Sequence, residues 1–90
     1  MVLLVCFNLT KENPAFENAL KSLGNWSNRI AAGWILETRL SPRQVRDNLG
    51  QHMATGDRLF VARVTQDWAG RGLGAGFPEW MGRRVWEPVK

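Results

Sequence analysis

The hydrophobic pattern of the chain begins with a nearly continuous apolar segment. Met1 to Leu9 is apolar at almost every position, and the polar residues Thr10, Lys11 and Glu12 follow it. A short apolar run that ends in polar residues is typical of a strand covered on both faces. We therefore predict that the chain opens with a strand in the centre of a sheet.

The next segment has helical spacing. Asn13 and Pro14 have the order of a capping residue followed by proline at the first helical position, and Gly24 is a typical helix stop. Apolar residues at intervals of three and four lie on one face of a helix. In this segment they are Phe16, Leu20 and Leu23.

Alternating residues then predict two strands joined near Gly33, over Trp26 to Ala31 and over Trp34 to Leu40. One face of this hairpin is mostly apolar. The other face would carry Arg29, Glu37 and Arg39, among smaller residues.

A second helix and a fourth strand complete the pattern. Ser41 to Gln44 has the composition of a capping box with proline in the first turn, which starts a helix. Leu59 to Thr65 alternates again and predicts a strand. The apolar stripe of the helix consists of Val45, Leu49 and Met53, and the two faces of the strand consist of Phe60, Ala62 and Val64 and of Leu59, Val61 and Arg63.

The order β-α-β-β-α-β predicts an α+β, ferredoxin-like domain over residues 1–67. Both helices should cover one face of a four-stranded antiparallel sheet. The other face should carry Arg29, Glu37, Arg39 and Arg63 among hydrophobic residues. Such a face is expected to be covered by a C-terminal segment, by a second chain or by a ligand.

Residues 68–90 form a glycine- and tryptophan-rich extension. Glycine occupies every second position from Gly70 to Gly76, and Phe77 to Met81 predicts a short helix. The aromatic content is too high for a freely solvated tail. We expect the extension to pack on the domain or on a partner.

Composition excludes several classes of site. One cysteine and one histidine exclude an internal disulfide, a cysteine-based zinc site and a two-histidine metal centre. No pair of carboxylates lies close together on one predicted element, and we therefore expect no metal, no cofactor and no catalytic group. The apolar runs are too short for a membrane span, and no signal peptide is visible, so we expect a soluble cytoplasmic protein without a membrane partner.

The charge balance of the chain indicates a class of partner. Twelve basic and eight acidic residues give a net charge of +4, which suits a polyanionic partner such as nucleic acid. Phosphate contacts of this kind would be driven by charge and would not read sequence. The candidate phosphate-binding residues are Arg29, Arg39, Arg43, Arg46 and Arg63.

Several segments together resemble one family of small proteins. They are the first strand ending at Phe7-Asn8, the segments from Ala19 to Trp26 and from Gly33 to Thr38, the helix start from Leu40 to Leu49, and the strand from Asp57 to Val61. They are similar to the SinR-like group, which is related to the ferredoxin-like subunit of CRISPR spacer acquisition and to VapD-type proteins. The similarity covers about residues 1–67 and is one of distributed pattern.

This resemblance implies a βαββαβ domain that forms homodimers through sheet edges or faces. In the acquisition subunit and its nuclease-like relatives the first strand ends in an aspartate implicated in metal binding and phosphodiester cleavage. Here that position is Asn8, a neutral and weaker ligand for Mg²⁺. The substitution argues against nuclease activity and leaves dimerisation and backbone contact unaffected.

We therefore expect a non-catalytic, homodimeric protein that contacts nucleic-acid backbone or a nucleoprotein complex. One alternative is a protein-interaction module, such as a phage or mobile-element accessory factor, in which the half-apolar sheet face and the aromatic extension bind a protein. A further alternative is a weak metal-dependent nuclease that uses other carboxylates.

Overall fold

Strands and helices follow one another in the predicted order, and a third, short helix comes after them. A computed structural model describes residues 1–86. The strands are β1 (Val2–Asn8), β2 (Asn25–Ser27), β3 (Gly33–Glu37) and β4 (Arg58–Val64), and the helices are α1 (Pro14–Lys21), α2 (Pro42–Gly50) and α3 (Gly76–Gly82).

The strands form one antiparallel sheet in the order β2-β3-β1-β4. The apolar strand β1 lies inside the sheet, as predicted, and pairs with β4 over its whole length, from Val2 opposite Val64 to Asn8 opposite Arg58. The predicted α+β class with a four-stranded antiparallel sheet is confirmed. The arrangement is compatible with a ferredoxin-like fold.

Helices α1 and α2 cover one face of this sheet and form the main core with it. Phe16 and Leu20 of α1 and Val45 and Leu49 of α2 are fully buried, as their spacing predicts. Burial of such side chains contributes about 1.5–3 kcal/mol each. The sheet residues of this core are Leu3, Val5, Trp34 and Leu36.

Side-chain caps determine where the two helices begin. The Asn13 side chain accepts a hydrogen bond from the Phe16 amide at 3.0 Å. Ser41 and Gln44 form the predicted capping box, in which each side chain accepts a bond from the other residue's amide. Within residues 1–86, none of the helices has the length and apolar character needed to cross a lipid bilayer.

The prediction that β2 extends to Ala31 is wrong. The strand ends at Ser27, and the Gly33 amide donates to the Ile30 carbonyl in a tight turn. The Ala32 carbonyl accepts a bond from the Phe7 amide of β1. Arg29 therefore lies in the β2–β3 loop and not on a strand.

Strand β3 is also shorter than predicted and ends at Glu37 instead of Leu40. Thr38 still donates its amide to the Met1 carbonyl, but its side chain then accepts a bond from the Leu40 amide and turns the chain toward α2. Arg39 consequently lies in the connection between β3 and α2.

The predicted placement of Arg63 on the face opposite the helices is wrong. Arg63 pairs with Leu3, a core residue, so its side chain lies on the helix-covered side. Phe60 is on the opposite face and has 62% of its surface exposed. The pairing of β4 with β1 determines which of its two alternating groups of side chains faces the core. The alternation within β4 alone does not show which group that is.

The second face of the sheet is covered by the C-terminal segment. Phe77 and Met81 of α3 are buried, although Val85 beyond the helix is exposed. Between α3 and the sheet remains an apolar cavity of about 130 Å³, lined by Leu4, Ile35 and Val64 on the sheet side. The short helix predicted near Phe77 is thus present and packs on this face.

Close backbone contact at Gly24 gives the first prediction. A Cβ added there would collide with the backbone carbonyl of Glu37, because β2 and β3 meet at this point. We expect Gly24→Ala to lower the free energy of unfolding by about 1–3 kcal/mol, as overpacking does. Urea denaturation measures the change. Gly50→Ala is the control, since a Cβ there meets nothing within 4 Å, and an equal loss in both variants would contradict the explanation.

Candidate functional site

A buried ion pair joins the C-terminal segment to the sheet. Arg84 Nη1 donates to Glu37 Oε1 at 3.0 Å, and the Val85 amide donates to Glu37 Oε2 at 2.6 Å. The side chains are only 9% and 16% exposed for Arg84 and Glu37. Asn25 of β2 donates to the same carboxylate, so Glu37 connects two strands to the residues that follow α3.

Arg84 also holds the end of α3. Its Nε donates to the Trp80 carbonyl at 2.9 Å, and its guanidinium lies 4.2 Å from the centroid of the Trp80 ring. A cation over an indole face is attracted by the ring quadrupole. One arginine therefore connects the end of α3 to β3 and contacts the ring of Trp80.

The environment of Glu37 lowers its pKa. Burial alone would raise the pKa of this carboxyl group, but the hydrogen bonds from the Val85 amide and the Asn25 side chain and the charge of Arg84 outweigh burial. The ionised form is therefore the one that the folded protein favours.

A cleft forms where α3 passes the edge of β2, and we call it the Trp26–Trp80 cleft. Its volume is about 410 Å³. Trp26 and Asn28 line the strand side, and Trp80 lines the helix side, with Arg29, Glu79 and Arg83 around it. Both tryptophans are half-buried, and both arginines are exposed.

Two arginines make this cleft electropositive. Within residues 1–86 neither Arg29 nor Arg83 forms an ion pair, and Glu79 is the carboxylate that lines the cleft with them. The Arg29 guanidinium lies against Gly74, where an added Cβ would be 3.3 Å from Nη1. Gly74 has φ of +90°, which favours glycine, so the loop leading to α3 is shaped to accept this arginine.

The structure does not bring the predicted arginines together into one site. Arg29 lines the cleft, whereas Arg39 and Arg43 lie exposed around the start of α2. Arg46 pairs with Asp47 at 2.7 Å, and this pair is well exposed. Arg63 lies on edge strand β4, on the helix side of the sheet.

Sequence reasoning missed Trp26, Trp80 and Arg83 as candidate site residues. Trp26 stacks on Trp34, a residue of the main core, with ring centroids 5.2 Å apart. The only available signal was the high aromatic content of the extension. Nothing in the sequence shows that α3 ends beside β2.

Among residues 1–86 the acidic positions are not grouped as metal ligands. Asn8, at the position where the resemblance implies an aspartate, is exposed at the end of β1 opposite Arg58. In the described part of the chain, no three His, Cys, Asp or Glu side chains are grouped to hold a metal ion. Asp57 accepts hydrogen bonds from the Thr10 amide, the Ala54 amide and the Thr10 hydroxyl. These bonds lower the pKa of Asp57 and give the residue a structural role.

Comparisons with known proteins add no relative. The chain matches no family model, no curated protein sequence and no solved structure at a significant level. The similarity to the SinR-like group accordingly stays a prediction from the sequence pattern.

The Glu37–Arg84 pair predicts a specific response to acid. The pKa of Glu37 is lower in the folded protein than in the unfolded chain, so the ionised carboxylate stabilises the fold fully above the ordinary pKa of about 4.3. This stabilisation is lost as the pH falls through the folded-state pKa. We expect Glu37→Gln to cost roughly 1.5–3 kcal/mol at neutral pH, as lost hydrogen bonds to charged groups do. The variant should also lose less stability than the parent between neutral and acid pH, which thermal unfolding at several pH values would measure.

Asp47→Asn is the matched control for this change. It removes a carboxylate from an exposed pair, so the free energy of unfolding should change by less than about 1 kcal/mol. Equal effects of the two substitutions would show that the Glu37 bond does not hold the C-terminal segment.

Proposed function

We propose that the chain is a non-catalytic, homodimeric protein that binds nucleic-acid backbone through surface arginines. The observation that supports binding most directly is the set of exposed guanidinium groups without ion pairs among residues 1–86. They belong to Arg29, Arg39, Arg43, Arg58, Arg71 and Arg83.

Guanidinium groups of this kind can contact phosphates without first breaking an internal ion pair. Each contact releases counterions from the nucleic acid, and this release makes the affinity strongly salt-dependent. The net charge of +4 adds long-range attraction to the same ligand. The groups are spread over the surface, which suits contact with a backbone better than reading of bases.

The proposed absence of catalysis rests on Asn8. A neutral amide is a weaker Mg²⁺ ligand than the aspartate that the resemblance implies there. The alternative of a protein-interaction module relied on a half-apolar sheet face, and α3 covers much of that face, although Phe60 stays exposed.

The proposed homodimer is supported by the position of β4 at one edge of the sheet. This strand is seven residues long, lacks proline and glycine, and within the described chain forms ladder hydrogen bonds only with β1. Long regular edges invite pairing with another strand. An antiparallel pair of β4 strands centred on Val61 would place Phe60 opposite Ala62 and Leu59 opposite Arg63, so no like charges would face each other.

Salt-dependent binding tests the nucleic-acid proposal. The affinity for a labelled DNA duplex, measured by anisotropy, should fall steeply between about 50 and 200 mM salt. Replacing both Arg39 and Arg43 by alanine should make the slope of log K against log salt shallower by about one for each lost phosphate contact. Arg46→Ala should change this slope less than the loss of Arg39 or of Arg43 does, because Asp47 already neutralises the Arg46 guanidinium.

The absence of any binding at about 50 mM salt would contradict this proposal. A salt-insensitive complex with a protein, recovered without nucleic acid, would favour the interaction module. Mg²⁺-dependent cleavage by the unmodified chain would favour the nuclease, and cleavage by Asn8→Asp alone would indicate a lost site.

The β4 edge predicts the oligomeric state. We expect sedimentation equilibrium to show twice the mass of one chain and to show mostly monomer for Phe60→Lys, because a charged side chain would enter the strand pair. The control is Val85→Lys, since Val85 is exposed to 72% and lies away from β4. A monomeric parent protein, or an unaffected Phe60→Lys dimer, would contradict pairing through this edge.

A further inference from the structure

We infer that the apolar cavity between α3 and the sheet binds a small monocarboxylate whose apolar part is about the size of a benzene ring. The apolar part fills the cavity, and the carboxylate pairs with Arg29, which lines it. This inference is independent of the proposed nucleic-acid binding, because it concerns the covered face of the sheet and a ligand without phosphate.

The cavity has apolar side chains on both of its sides. They include Leu4, Ile35 and Val64 from the sheet and Trp68, Leu73 and Phe77 from the C-terminal segment. Leu4 alternates with the core residues Leu3 and Val5, and it pairs with Ile35. These two side chains therefore lie on the face of the sheet away from α1 and α2, which is the face that the C-terminal segment covers.

The C-terminal segment does not fill the space above the sheet. On the face covered by α1 and α2, Leu3 and Leu36 have no exposed surface, whereas Leu4 and Ile35 on the same interior strands are only half-buried. Close packing normally removes the accessible surface of interior strand positions. The accessible parts of Leu4 and Ile35 instead border an unfilled volume of about 130 Å³.

The size and polarity of the cavity favour a mostly apolar ligand. A dry apolar cavity of about 150 Å³ can bind benzene, whereas a buried water needs several polar partners. Among the described side chains that line the cavity, N–H or O–H groups belong only to Ser27, Arg29 and Trp68. Ser27 and Arg29 come from the end of β2 and the loop after it, so the polar part of a ligand would lie on that side.

Arg29 is available as the partner of an anion. Within residues 1–86 its guanidinium forms neither an ion pair nor a hydrogen bond. The group lies against the glycine-rich segment, since a Cβ added at Gly74 would be 3.3 Å from Nη1 and one at Gly76 would be 3.7 Å from Nη2. A guanidinium can donate two parallel hydrogen bonds to one carboxylate.

The charges favour a carboxylate over a phosphate. One guanidinium balances a single negative charge, whereas a phosphate monoester carries about −1.5 to −2 charges at neutral pH. Among residues 1–86 no carboxylate lines the cavity, and Glu79 belongs to the neighbouring cleft. A monoanion with an apolar remainder therefore matches both the charge and the walls of the cavity.

The test uses benzoate, with benzamide as a neutral control of nearly the same shape. Proton–nitrogen NMR of the full chain follows the indole N–H of Trp68, which a Trp68→Phe variant assigns, as either compound is added. We expect a saturable shift with benzoate and about fivefold weaker binding of benzamide, since an ion pair of a partly exposed arginine contributes up to about this factor.

Two pairs of variants locate the site. Arg29→Gln should weaken benzoate binding about fivefold and leave benzamide binding unchanged. The control Arg83→Gln removes an equal charge from an exposed side chain that lines the neighbouring cleft but not the cavity, and it should change neither. Val64→Phe should abolish the binding of both compounds by filling the cavity, whereas Val85→Phe adds the same bulk at an exposed position outside it and should not.

Several outcomes would overturn the inference. They are a shift without saturation, equal affinities of benzoate and benzamide, equal effects of Arg29→Gln and Arg83→Gln, and benzoate binding by a folded Val64→Phe variant. If circular dichroism shows that Val64→Phe is unfolded, the two arginine variants carry the test, because both side chains are exposed. No nucleic acid is present in this experiment, so its failure leaves the proposed function unaffected.

Discussion

The hydrogen-bonded ion pair between Glu37 and Arg84 is the interaction on which the proposed site depends. It connects a carboxylate on an interior strand to residues that lie 47 positions later in the chain. Both partners are largely buried, and the carboxylate has further donors from Asn25 and Val85, so the cost of removing the charges from water is offset by several bonds. The same arginine contacts the ring of Trp80, and thus one contact both closes the second face and shapes the cleft beside it.

Local signals were sufficient to predict the class of fold. The caps at Asn13 and Ser41 and the apolar run of β1 act over a few residues, and sequence shows such features directly. The ends of the strands, and the face of the sheet on which each side chain lies, were harder to predict. Whether Arg63 or Phe60 points toward the helices depends on register with β1, and this register is a contact between residues far apart in sequence.

The candidate site was less predictable than the fold for the same reason. Arg29 was recognised from charge, but its position beside Arg83 and Trp80 results from the docking of α3 against the edge of β2. That docking uses a buried ion pair and two apolar side chains from a short helix that follows a glycine-rich segment. None of these features produces a periodic pattern in the sequence. Tryptophans that pack in the core on one side and line a cleft on the other, as Trp26 does, look like core residues in the sequence.

The central position of β1 has a consequence for synthesis. This strand is made before both of its neighbours, β3 and β4, and β4 ends only at Val64. A growing chain therefore carries an apolar segment without its second sheet partner until Val64 has been translated. Sheet closure must follow release of these residues from the exit tunnel, which makes the nascent chain a natural client for chaperones that shield exposed apolar segments.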